Sequence, residues 1–183
     1  MFLTPDIEKC RSILKETQLA HFNIPNWARH LLPLSKELGL KISCDIQDVT
    51  DISDPYRAEF INYADVLFLS SVNHADPKPM LKEIIKKHPH KIVISGMGAD
   101  GCAVGTKDGI EYFEAVELPG IIVDTNGAGD GLAVGFLSGY IFERFGIKKS
   151  ILRAQIVARY TCTLKATTSN LISQNTLQKL LTG

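Results

Sequence analysis

Apolar positions along the chain alternate between helical spacing and short unbroken runs, and this alternation predicts an α/β fold. In residues 5–17, Ile7, Cys10, Ile13 and Leu14 recur at helical spacing, with Thr4 as the cap and Pro5 in the first turn. Residues 19–23 make a brief strand that Ile24-Pro25 breaks. From Asn26, the positions Trp27, Leu31, Leu32, Leu34 and Leu38 predict a second helix, ended by Gly39 and kinked or split at Pro33. A buried strand at 40–46 leads into a polar loop at 47–55. A short helix at 57–63, an apolar strand at 64–70, a helix at 79–88 with Met80, Ile84 and Ile85 on one face, and a strand at 91–95 continue the series. Helix, glycine, strand is the repeating unit of a parallel sheet. The rhythm then changes. Residues 102–105 and 110–114 flank Thr106-Lys-Asp-Gly109, whose Asp-Gly predicts an antiparallel hairpin added to that sheet. Towards the end, Ser150 is placed to cap a helix reaching about residue 164, and residues 174–181 form a closing helix.

The stretch 121–140 carries the chemistry. Ile121, Ile122 and Val123 run into Asp124, Thr125 and Asn126, a glycine-rich turn follows, and Leu132, Phe136, Leu137, Tyr140 and Ile141 then mark a helix. The pattern predicts strand, tight turn, helix. Glycines at 127 and 129 let the backbone approach a ligand, and the amides of Gly127, Ala128 and Gly129 would stand unpaired at the positive end of the helix, a ready-made anion site. Asp130 follows in the first turn, where the helix dipole favours a carboxylate. A proton acceptor beside an anion hole suits phosphoryl transfer to a hydroxyl. Taken alone, a Gly-x-Gly-Asp turn more often just caps a helix. For Asp124 and Thr125, helix capping is the safer reading. Gly131, Gly135 and Gly139 recur every four residues, and for them a smooth edge for close helix packing is the better reading.

Composition narrows the classes. The 183 residues are 45% hydrophobic, enough to bury the core of one domain, so the expectation is a single domain over residues 1–183. Twenty basic residues balance 20 acidic ones, which gives no field to draw the protein to nucleic acid or an anionic membrane. Residues 1–6 hold neither a basic leader nor a long apolar core, and no run is long enough to cross a bilayer. Cys10, Cys44, Cys102 and Cys162 are scattered without paired spacing, as befits free thiols in a reducing cytoplasm. The five histidines show no metal-ligand spacing beyond His88-Pro-His90, a solvated loop.

The run Asp124-Thr-Asn-Gly-Ala-Gly-Asp130, with Gly135-Phe136-Leu137 after it, closely resembles the C-terminal signature of the PfkB (ribokinase-like) carbohydrate kinases. The resemblance implies a three-layer fold, a mostly parallel sheet flanked by helices with an antiparallel hairpin, without the N-terminal lid and first strands of that family. It implies that Asp130 is the catalytic base and that Gly127, Ala128 and Gly129 form the anion hole. Ser95-Gly-Met-Gly-Ala-Asp-Gly101 resembles the family's Thr-x-Gly-x-x-Gly nucleotide loop, with Gly98 and Gly101 at its glycines and Gly96 where threonine is common. The same likeness implies that Asp124, Thr125 and Asn126 help seat a monovalent cation or the nucleotide phosphates. It implies ATP with Mg2+ as cofactor and a small sugar or nucleoside as partner. Residues 161–170 match the family's tail, with Asn170 at a glycine.

Two departures stand beside the match. The likeness covers only the C-terminal portion of such a kinase, so a second copy or a missing N-terminal segment is expected to cover the open sheet edge. Where the family carries Asn-x-x-Glu to organise magnesium, this chain reads Ser70-Ser-Val-Asn73, and the metal ligands are unknown. Two functions therefore remain: a sugar kinase, or its catalytic part, and a nucleotide-binding remnant without catalysis. A dinucleotide-binding dehydrogenase is disfavoured, because Gly127 and Gly129 lack the third glycine and no acidic strand end lies about 20 residues on.

Overall fold

A computed structural model describes residues 4–71, 73–165 and 170–182. Residues 1–3, read above for a leader, Val72 of the Ser70–Asn73 pattern, and 166–169 of the tail lie outside them. The chain divides into two compact units, one of residues up to Gly98 with Cys102–Tyr112, the other of Ala99–Gly101 with the residues from Phe113 onward.

The first unit is built on a sheet whose six strands follow chain order: β1 (Leu19–Phe22), β2 (Lys41–Asp48), β3 (Val66–Ser70), β4 (Ile92–Gly96), β5 (Cys102–Thr106) and β6 (Gly109–Phe113). β1 to β4 pair in parallel, and β5 turns back antiparallel against β4, with Gly96 opposite Cys102. The Lys107-Asp108 hairpin thus sits where the Asp-Gly signal placed it. Helix α1 (Ile7–Leu14) precedes β1; α2 (Leu32–Glu37), α3 (Pro55–Tyr63) and α4 (Lys78–Lys87) make the crossovers. Ile42, Cys44, Ile46, Phe60, Leu67, Leu81, Ile84 and Val93 are buried in one core between strands and helices. Burial holds the Cys44 thiol up at about 12, so it is inert.

Several local expectations shift. The cap of α1 is Asp6, whose carboxylate accepts from Lys9 N at 3.2 Å, rather than Thr4. Pro33 does split its helix: residues Asn26–Leu31 form a 3-10 turn, and Pro33 opens the α-helical part, where its missing N–H costs nothing. β2 runs on to Asp48 through a register shift between Asp45 and Asp48, so part of the expected 47–55 loop is strand. Lys91 is almost fully buried, its ammonium donating to the carbonyls of Asn62, at 3.0 Å, and Ala64 at the end of α3.

The second unit holds α5 (Ala128–Leu137), extended by a π-helical turn at Ser138–Phe142, then α6 (Ile147–Thr161) and α7 (Gln174–Thr182). Ser150 does not cap α6. Gly146 stands at that cap, and the buried Ser150 hydroxyl bonds back to Gly146 O at 3.0 Å from inside the first turn. Gly131, Gly135 and Gly139 are buried along one edge of α5 and face Ser150, Ala154 and Ala158 of α6. A Cβ at Gly135 would lie 2.6 Å from Ala154 Cα, so the packing reading of this stripe holds. The π turn is fixed by the nearly buried Arg153, which pairs with Glu143 at 2.6 Å and donates to Ser138 Oγ at 3.0 Å.

Candidate active site

The segment leading into the site is not the strand that its apolar run predicts. Ile121, Ile122 and Val123 are 80%, 61% and 49% exposed and join no sheet. A strand needs a partner ladder. Here one carbonyl, Cys162 O just past α6, accepts both Val123 N at 2.8 Å and Asp124 N at 3.3 Å. Asp124 Oδ1 then accepts from Asn126 N at 3.0 Å, closing a side-chain turn. Asp124 and Thr125 therefore do not cap the helix; its cap is Gly127, with no side-chain hydrogen bond. Gly127 sits at φ 79°, the left-handed region where a side chain is strained.

This turn spends one of the three expected amides. Ala128 N donates to Thr125 O at 3.1 Å, so it is not free to bind an anion. Gly131 N closes the first helical bond, to Gly127 O at 2.8 Å. The amides of Gly127, Gly129 and Asp130 have no acceptor among the described residues, as expected of a helix start without a side-chain cap. Gly129 has open space for a Cβ. Packing does not require glycine there, whereas it does at Gly131 next along, where a Cβ would meet Thr161 Oγ1 at 3.0 Å.

Asp130 lies in the first turn of α5, exposed, and makes no hydrogen bond or ion pair among the described residues. Its carboxylate is accessible, one residue beyond the open Gly129 amide. The site thus presents an uncommitted acceptor next to uncommitted donors at the positive end of a helix, an arrangement able to hold an anionic group and take a proton.

In the second glycine-rich loop, Gly96 closes β4 and its carbonyl accepts from Ser71 N at 3.0 Å and Ser71 Oγ at 3.3 Å. Gly98 opens a 3-10 turn, Gly98–Asp100. Gly101 has a packing reason of its own: a Cβ there would fall 2.1 Å from Phe113 O. Gly96 and Gly98 belong to the first unit and Gly101 to the second. At the end of β3, the Asn73 amide donates to Asp48 Oδ2, and Asp48 Oδ1 is buried without a partner among the described residues. No cluster of three or more His, Cys, Asp or Glu side chains suited to a metal occurs among the described residues. Asn170 takes φ 61°, the backbone state that a glycine at its position would adopt most easily.

Sequence reasoning passed over Arg159. Its guanidinium donates to Leu118 O at 3.1 Å and to Gly120 O, on the approach to Asp124. A basic residue in the last turn of a helix is common enough to carry no signal of its own.

Comparison with known proteins agrees with this picture. The model of the pfkB family carbohydrate kinases matches residues 47–174. An acarbose 7(IV)-phosphotransferase of Actinoplanes sp. is 26% identical over 159 residues, covering 86% of this chain and 52% of the relative. The solved structure of a microbiome-derived acarbose kinase superposes with a TM-score of 0.88 at 24% identity, over 98% of this chain and 60% of that one. Arabidopsis thaliana ribokinase, solved with ribose and ATP, gives 0.77 at 17% identity, over 100% of this chain and 61% of that one. The chain spans about half the length of the curated relative it matches. No described helix is long and apolar enough to cross a membrane. With a mostly parallel six-stranded sheet in the ribokinase-like arrangement and a family match over most of its length, the chain belongs to the pfkB family of carbohydrate kinases.

Proposed function

We propose that the protein transfers the terminal phosphoryl group of ATP to a hydroxyl of a sugar or nucleoside, with Asp130 as the general base. The observation that carries this reading is the exposed, unpaired Asp130 carboxylate directly after the open amides of Gly127 and Gly129. Asp130 takes the hydroxyl proton as the acceptor oxygen attacks, and the amides of Gly127, Gly129 and Asp130 hold charge on the transferred group. Ala128 contributes shape rather than a donor, because Thr125 O holds its amide.

Gly96, Gly98 and Gly101 line the nucleotide phosphates in this reading, and Asp124, Thr125 and Asn126 lend oxygens to a monovalent cation or to the phosphates. ATP enters as its Mg2+ complex, in which the metal neutralises phosphate charge. Ser70 and Asn73 bring no carboxylate to it; the acid beside Asn73 is Asp48, with an oxygen to spare. β1 stands at one edge of the sheet, and we infer that a second copy or a further segment covers it. Four free cysteines suit a cytoplasmic setting.

The relatives named for acarbose suggest a carbohydrate acceptor. The test is turnover of ATP over a panel of mono- and oligosaccharides and nucleosides, paired with nucleotide calorimetry. Asp130→Asn is expected to lower turnover by at least about a hundredfold, the scale of a general base, while nucleotide affinity stays within about twofold. Full activity in that variant would refute the assignment. Nucleotide binding without turnover in the wild type would instead favour the non-catalytic reading.

A further inference from the structure

The end of α6 and the two residues after it touch the catalytic stretch and its approach. Ala158 and Thr161 lie under Gly131, within 3.2 Å and 3.0 Å of where a Cβ would stand. Cys162 O receives the amides of Val123 and Asp124. Thr163 Cγ2 lies 3.3 Å from the corresponding point on Gly120, which holds φ 107°. Arg159 is the one charged group of the set, and its Nη2 bonds two carbonyls of the incoming segment, Leu118 O at 3.1 Å and Gly120 O. Its Nη1 is buried with no partner among the described residues.

That last fact points to a positioning role. A guanidinium with an orphaned buried N–H costs desolvation that a surface position would avoid. What it obtains is a charge-assisted grip on two carbonyls of a segment that joins no sheet among the described residues and whose Ile121, Ile122 and Val123 are exposed. Among the described residues the other anchors of 118–124 are the packing of Leu118 on Ile156, Val157 and Leu177, the Thr163 contact at Gly120 and the Cys162 carbonyl, and four residues beyond Gly120 begins the turn that sets the Gly127 and Gly129 amides. An error in that segment would displace those amides relative to Asp130, which Thr161 and Ala158 hold independently through Gly131.

We propose that Arg159 is a positioning residue that tethers residues 118–124 to the end of α6 and thereby keeps the Gly127 and Gly129 amides aimed at a phosphoryl group. The consequence for phosphate rests on the kinase reading above; the tether does not. Arg159→Lys keeps the charge and three donors on one nitrogen but loses the planar fork, Arg159→Gln keeps donors without charge, and Arg159→Ala removes both.

Two measurements on the 183-residue protein separate the parts. In hydrogen–deuterium exchange, Arg159→Ala is expected to speed exchange at Val123 and Asp124 by tenfold or more, leaving amides at 151–157 within twofold, with Arg159→Lys restoring at least half the protection. Calorimetry with a non-hydrolysable ATP analogue is expected to show a matching loss of about tenfold in affinity, again partly rescued by Lys. Unchanged exchange at 123–124 overturns the proposal, as does a uniform rise through α5 and α6, which would make Arg159 merely structural. Loss of 123–124 protection with undiminished affinity overturns the aiming role. A wild type that binds no analogue overturns the kinase reading and with it the aiming role, while the exchange data still decide the tether.

Discussion

At the scale of single residues, glycines in one short run serve different masters. Gly127 needs its left-handed backbone, Gly131 needs to be small against Thr161, and Gly129 needs neither. Gly129→Ala is therefore expected to leave thermal stability nearly unchanged, or to raise it slightly through helix propensity. It should nevertheless weaken nucleotide or phosphate binding by roughly tenfold, because a methyl group would stand where an anion must approach its amide. Melting curves and calorimetry on the same sample decide it, and equal affinity would remove Gly129 from the site. Much of this residue-level pattern is legible in the sequence, since spacing offers Gly127, Gly129 and Asp130 and the likeness to the longer PfkB signature lifts them above an ordinary helix cap. The loss of the Ala128 amide to Thr125 is not, because it depends on how tightly the turn closes.

Elements are decided by what they pack against. The stripe Gly131, Gly135, Gly139 can be read as a close-packing edge before any partner is known, and α6 supplies that partner with Ala154 and Ala158. Gly135→Ala is expected to destabilise the protein by about 2 kcal/mol or more, because the new Cβ would meet the Ala154 backbone, which no rotamer change can relieve. Urea unfolding gives the number; a change under about 0.5 kcal/mol would show that the two helices are not held at this distance. The run Ile121–Val123 shows the opposite case. Its β-branched residues announce a strand, yet strand propensity means little without a neighbouring ladder, and among the described residues the run is held by Val123 N on the Cys162 carbonyl, just past α6. Ser150 misleads for a related reason: a cap residue and a first-turn serine look alike in sequence, and the choice falls to Gly146 through burial of the hydroxyl.

At the scale of the molecule, the parallel pairing and the appended hairpin follow from periodicity and from Asp108-Gly109, whereas the order of the strands and the buried charge at Lys91 do not. Lys91 stands just before β4, where a lysine would ordinarily be solvated, and it instead donates to the carbonyls of Asn62 and Ala64. Burial pulls its ammonium down to about 8, against partial support from Asp65 and Cys44. The depressed value fixes the sign. Between about pH 8 and its unfolded value of 10.5, the unfolded chain binds more protons at this position than the folded one, so its contribution to stability rises with pH there and is lost as pH falls through 8. Cys44 acts the other way: its thiol, raised by burial to about 12, stays protonated in the fold while the unfolded thiol ionises from about 9 upward. The clean window is thus pH 8–9, where Lys91 should add up to about 1.4 kcal/mol of stability per pH unit. Lys91→Met would sacrifice the two carbonyl bonds, and its absolute stability is therefore a poor guide. The slope of unfolding free energy against pH is the diagnostic quantity: it should flatten in Lys91→Met between pH 8 and 9 and persist in Cys44→Ala. An unchanged slope in the methionine variant would mean that the buried amine does not titrate there, its charge being held by the carbonyls through the whole range.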